Sequence, residues 1–120
     1  MYNVLNPEQV VQRNLDCYNS RDITGFMETF SEDITLYSFS DPDPVIAGAD
    51  AIRKFYSGLF DTSPKLHSTI LKRIVFDNKI IDHESIVGRM GADAALEIVV
   101  IYEVEEGKIF RLTAIRKKEV

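Results

Sequence analysis

Residues 66–117, LHSTILKRIVFDNKIIDHESIVGRMGADAALEIVVIYEVEEGKIFRLTAIRK, decide the fold. Apolar and polar residues alternate through this run with period two, the spacing of strands whose successive side chains point to opposite faces. Asp77-Asn78-Lys79 and Glu105-Glu106-Gly107-Lys108 read as tight hairpin turns, and Met90-Gly91-Ala92-Asp93 turns the chain between them. The expectation is an antiparallel meander with strands over residues 66–76, 80–89, 95–104 and 109–117.

Upstream the period changes. Asn6 can cap a first helix, Pro7 suits its first position, and Glu8 complements the dipole. Val10, Val11, Asn14, Leu15, Cys17 and Tyr18 then form a mostly apolar helical stripe. Asp22 can cap a shorter second helix with Ile23, Phe26, Met27 and Phe30 on one face, ended by Ser31-Glu32-Asp33. Residues 34–39 read as a strand, enriched in Thr, Tyr and Phe. Asp41-Pro42-Asp43-Pro44 cannot continue it, because each proline lacks an N–H and restricts its predecessor. After Gly48, residues 49–60 are helical, with Ile52, Phe55, Tyr56, Leu59 and Phe60 on one side. Residues 30–60 therefore bend the chain around an apolar interior. Helices early and an antiparallel meander late predict an α+β domain over residues 1–120.

The net charge of −5 disfavours nucleic acid and anionic membrane as partners. No run approaches the ~18 apolar residues of a membrane span, and MYNVLNPEQ lacks a signal-peptide layout. One cysteine, Cys17, excludes an internal disulfide, and two histidines without ligand spacing make no metal site. The expected setting is cytoplasmic, with neither metal nor organic cofactor.

The order helix, helix, strand, helix, then four strands resembles the nuclear-transport-factor-2-like superfamily, whose members include ketosteroid isomerases and SnoaL-like polyketide cyclases. Val10-Val11-Gln12-Arg13, Phe30-Ser31-Glu32-Asp33, and Gly48 with Ala51-Ile52-Arg53-Lys54-Phe55-Tyr56 resemble the isomerase branch most. The resemblance implies a cone: a curved sheet wrapped around the helices, a deep pocket, and a homodimer through the outer sheet face. It also implies where isomerase chemistry would stand. The oxyanion-hole tyrosine falls on Asn14 and the neutral aspartate near Val100, so that hole is missing. The base position falls on Ser38 without a gap or on Asp41 with one. The usual isomerase mechanism is not expected.

Matching the sheet to that pattern turns Asp82, Glu84 and Ile86 inward, together with Ile98, Val100 and Tyr102 and with Leu112, Ala114 and Arg116. A carboxylate facing an apolar cavity is costly unless paired, and desolvation raises its pKa. Glu84, Asp82 and Asp41 are thus the candidate catalytic carboxylates, against the alternatives of a structural ion pair, turn chemistry at Asp41, or a slipped register. Arg116 is the expected partner of Asp82 or Glu84, with Lys72 and Arg73 in reserve. Asn14, Tyr18 and Tyr37 could donate to an oxyanion, and Tyr56 could bind a ligand's polar group. Phe55, Val100 and Tyr102 would wall the pocket, and His67 would sit at its mouth. The function expected is binding of a small hydrophobic molecule, steroid-, polyketide- or aromatic-like, with cofactor-free proton-transfer isomerisation or cyclisation. A non-catalytic binding module and a dimeric interaction domain using Ile81, Val87, Val99 and Ile101 are the alternatives.

Overall fold

The computed structural model describes residues 5–118. Helix α1 (Pro7–Ser20) starts in a capping box: the Asn6 side chain accepts from the Gln9 amide, and Gln9 reciprocates. Arg21 ends it in a left-handed conformation. Asp22 then caps α2 (Ile23–Met27) by accepting from Gly25 N–H. Strands β1 (Phe30–Ser38) and β2 (Ile46–Ala47) precede helix α3 (Ala49–Asp61). Strands β3 (His67–Phe76), β4 (Lys79–Val87), β5 (Leu96–Glu105) and β6 (Lys108–Arg116) complete the chain.

The six strands form one sheet in the order β2-β1-β6-β5-β4-β3. All neighbours are antiparallel except β1 and β6, which run parallel. Register shifts interrupt β1–β6, β3–β4 and β5–β6, the local kinks that increase the curvature of a sheet. The helices fill the concave side. The expected α+β cone is the observed architecture.

Alternation puts Ile80, Asp82, Glu84 and Ile86 of β4 on the buried face, the side that the match to the isomerase pattern implied. Opposite them, Val10 and Val11 of α1, Phe26 of α2, and Ile52, Leu59 and Phe60 of α3 bury their side chains against Ile98, Tyr102 and Leu112. Each full burial of such an apolar side chain contributes about 1.5–3 kcal/mol. Aromatic edges mesh within this layer, with Phe26 4.7 Å from Tyr56 and 5.0 Å from Phe30 between ring centroids.

Two elements differ from the sequence expectation. The second helix stops at Met27, and residues 30–33 belong to β1. Phe30 pairs with Ile109 of β6, and the Ile109 N–H donates to the Thr29 carbonyl, so strand pairing overrides the local helical spacing. The short β2 follows the proline loop because Val45 N–H donates to the Leu36 carbonyl, folding residues 46–47 back on β1.

The sheet also carries a buried ion pair. A bulge at Leu71 of β3 sets Ile70 opposite Glu84 but Arg73, rather than Lys72, opposite Asp82. The extra residue changes the phase of the strand and turns Arg73 inward. Its guanidinium grips Asp82 in a fork, Nε to Oδ1 at 2.7 Å and Nη2 to Oδ2 at 2.9 Å. Nη1 reaches Gln12 of α1 at 2.9 Å, tying helix to sheet. Asp82 is 0% exposed, so removing its partner would strand a charge in the core. Arg73→Met is expected to lower the unfolding free energy by about 3–5 kcal/mol. Urea denaturation checks this; a loss below about 1 kcal/mol, the scale of an exposed pair, would show that the fork carries little.

Candidate functional site

Glu84 follows Asp82 by one rung on the same face of β4, and the two carboxylates have different surroundings. Asp82 is neutralised by Arg73. Glu84 is 4% exposed and has only uncharged hydrogen-bond donors: Ser68 Oγ of β3 donates to Oε1 at 2.6 Å, and the Tyr102 hydroxyl of β5 donates to Oε2 at 3.4 Å. Burial pushes its pKa up from 4.5 to about 7, against the lowering effect of Ser68, and the nearby Asp82 charge adds to the rise.

Glu84 lies on a cavity of about 110 Å³ between the sheet and the helices. Leu15, Phe26, Leu36, Leu59, Ile86, Ile98, Val100, Leu112 and Ala114 make its walls largely apolar. Asn14, Tyr18, Tyr56, Tyr102, Arg89 and Arg116 supply its other polar groups. Burial raises the pKa of all three tyrosines, that of Tyr56 to about 12, so each hydroxyl keeps its proton at neutral pH and can donate. No hydrogen bond contributes to the shift of Tyr18 or Tyr56, whereas Tyr102 is engaged with Glu84. Asn14 is buried and spends one amide N–H on Thr29 Oγ1 at 2.9 Å.

The structure brings together Glu84, Asn14, Tyr18, Phe55, Tyr56, Val100, Tyr102 and Arg116 of the residues that the sequence nominated. The other four stand elsewhere. Asp82 lies behind the cavity wall, enclosed by Arg73. Asp41 is on the exposed proline loop, where its carboxylate accepts from Asp43 N–H as turn chemistry requires. Tyr37 takes the face opposite the cavity-lining Leu36, with the Arg111 guanidinium 4.2 Å from its ring centroid. His67 is exposed, because alternation in β3 turns the next residue, Ser68, to the buried face. Arg116 lines the cavity but forms no ion pair with either carboxylate among the described residues; the bulge at Leu71 gave that place to Arg73.

Sequence reasoning missed Arg89 and Ser68. Continued alternation would put Arg89 outside, but β4 ends at Val87 and Gly88 turns left-handed (φ 74°). A Cβ at Gly88 would collide with the Lys65 backbone carbonyl, so only glycine fits this turn. A single 3-10 turn, Arg89–Gly91, then carries Arg89 back to the cavity. Gly88 just before the arginine was the available signal. Ser68 offered none. Among the described residues no group of three or more His, Cys, Asp or Glu side chains is placed to hold a metal ion, and no helix is long and apolar enough to cross a membrane.

The profile of the SnoaL-like domain matches residues 11–112. The chain belongs to that family. The SnoaL-like fold is shared with an uncharacterised cystatin-fold protein from Novosphingobium aromaticivorans at TM-score 0.84 and 18% identity, over 93% of this chain and 99% of that one. A candidate ketosteroid isomerase from Kribbella flavida superposes at 0.80 with 17% identity, over 95% and 79% of the two chains. A candidate polyketide cyclase from Sinorhizobium meliloti gives 0.73 and 18% over 88% and 92%. At these identities the likeness is one of fold. No functionally curated protein matches the chain significantly.

The raised pKa of Glu84 has a consequence for stability. The unfolded chain loses this proton near pH 4.5, while the folded protein holds it to about 7. Between those values the native state binds more protons, so this residue's contribution to stability falls as pH rises through the window. Replacement by glutamine removes the effect. Between pH 5 and pH 8, Glu84→Gln should gain about 2–3 kcal/mol relative to the wild type in denaturant unfolding. A constant difference across that range would mean that Glu84 ionises normally.

Proposed function

We propose that this SnoaL-like domain binds a small, mostly apolar molecule in its cavity and moves a proton on it without a cofactor, Glu84 serving as the acid–base group. One observation carries the reading. Of two neighbouring inward carboxylates, one is locked in an ion pair, and the other meets the cavity with neutral partners only. A structural carboxylate at this depth would be expected to have a cation, as Asp82 does. A group used as a base needs a pKa near the working pH, which a cation would depress.

The chemistry that fits is abstraction of an acidic C–H proton beside a carbonyl. Ionised Glu84 takes the proton, the electron pair passes into the carbonyl as an enolate, and Tyr18 or Tyr56 donates to the oxygen that gains charge. Glu84 then returns the proton to a conjugated carbon, giving net isomerisation; where the enolate carbon instead bonds to an internal carbonyl carbon and closes a ring, the carbonyl π bond breaks and Glu84 gives the proton to its oxygen. Tyr102 orients Glu84 rather than acting on the ligand. The fold neighbours described as a candidate ketosteroid isomerase and a candidate polyketide cyclase support this class of reaction. A domain that binds the same molecule without turning it over is the second reading, favoured only by the cavity. In either case the reading includes a homodimer through the outer sheet face, where Ile81, Val99 and Ile101 of β4 and β5 and Val87 at the end of β4 would meet a second copy of the chain.

Solvent deuterium uptake into one-ring and short-chain β,γ-unsaturated carbonyl compounds, followed by NMR, tests the reading. Glu84→Gln should slow the exchange by about 10²-fold or more, and Asp41→Asn should leave it unchanged. Equal exchange in the wild type and Glu84→Gln would remove Glu84 as the base.

A further inference from the structure

The mouth of the cavity carries a second chemical signal, which deepens the proposed function and rests on that binding reading. Strands β4 and β6 both run antiparallel to β5, so they finish at the same end of the sheet. Arg89 follows β4 and Arg116 ends β6, and both line the cavity. Exposure increases in that direction. Tyr102 and Leu112 are 6% and 4% exposed at the closed end, whereas Arg116 and Phe55 are open to solvent. Both arginines thus belong to the end of the cavity at which β4 and β6 finish, on a chain whose net charge is −5.

Neither arginine forms a salt bridge among the described residues. The Nε–H of Arg89 is buried with no acceptor, alone in this respect among their buried side-chain nitrogens and oxygens. Buried donors are ordinarily satisfied, so an orphan on a residue that lines a cavity points to an acceptor from outside the chain. Glu84, the only carboxylate on the cavity wall among the described residues, is turned toward Ser68 and Tyr102 instead. The turn that aims Arg89 is also strained: Met90 is left-handed (φ 50°) as well as Gly88. It is held by a 2.8 Å bond from Met90 N–H to Ser63 Oγ, and Ser63 is fully buried. Backbone strain of this kind persists where the surrounding structure enforces it, commonly at ligand sites.

We infer that the cavity takes a small carboxylate: the anion is received by Arg89 with Arg116 beside it, and the apolar body lies against Phe26, Leu36, Ile98 and Leu112. A guanidinium fork matches a carboxylate in shape and charge. Tyr18 and Tyr56 stand within the influence of the Arg89 charge and offer hydroxyls to the same anion. Size narrows the class. A cavity of about 150 Å³ accommodates benzene, and this one, at about 110 Å³ and open at its mouth, sets one ring or a short branched chain as the upper limit, with the carboxylate in the mouth. A four-ring steroid exceeds it.

Benzoate and its neutral isostere benzamide provide the probes, titrated into the wild-type protein and followed by amide chemical shifts. Benzoate should bind at least about tenfold more tightly than benzamide, as expected for a charge-assisted hydrogen bond. Arg89→Gln should bring benzoate down to the level of benzamide and leave benzamide unchanged, while Arg89→Lys, which keeps the charge, should lie between. Equal binding of the two probes to the wild type, a comparison that needs no variant, would overturn the anion assignment and leave the cavity reading intact. So would benzoate affinity unchanged in a folded Arg89→Gln protein. Failure of both probes to bind would remove the cavity reading and this inference with it.

Discussion

The fork between Arg73 and Asp82 is the constraint on which the rest of the concave face depends. It satisfies a carboxylate that would otherwise be intolerable in the core, and through Gln12 it fixes α1 against β3. It exists because one extra residue at Leu71 shifts the phase of β3. Without that bulge Lys72, a point charge without the planar fork, would face Asp82, and Arg73 would face solvent. The shift also leaves Ser68 and Ile70 on the inner face, so the hydroxyl that meets Glu84 and the guanidinium that meets Asp82 come from one strand in two different phases.

The consequence for chemistry is a division of labour between two acids on one strand. The cation goes to Asp82, and Glu84 is left with a serine and a tyrosine. Desolvation then dominates its titration and places it near neutrality. The cavity beside it is otherwise apolar except for phenols, Asn14 and the two arginines at the mouth, so a bound molecule would meet its charged partner at the rim and its proton partner deeper in.

Much of the frame was legible in the sequence because side-chain alternation is strictly local. Alternation put Asp82 and Glu84 on one face of residues 80–86, the resemblance to the isomerase branch made that face the inner one, and the helical stripes of α1 and α3 supplied Asn14, Tyr18, Phe55 and Tyr56. What escaped was everything that changes phase. The bulge exchanged Arg116 and Lys72 for Arg73 as the partner of Asp82, and nothing in Leu71 announces it. The left-handed Gly88 turned Arg89 inward against the alternation of β4. In β1, the residues after the irregularity put Leu36 rather than Tyr37 on the cavity, and Phe30 joined a strand because Ile109 was there to pair with it. Pairing partners and bulges are tertiary facts, so period counting alone does not reach them.

Pairing of Asp82 with Arg73 leaves Glu84 an acid that titrates near neutrality on the cavity wall. A carbon-13 NMR titration of the side-chain carboxyls, with Glu84 assigned by its absence from the Glu84→Gln spectrum, measures this directly. Glu84 should show a midpoint at about 7. A midpoint near the ordinary 4.5 would contradict it, for Glu84 would then be an ionised group like any surface glutamate.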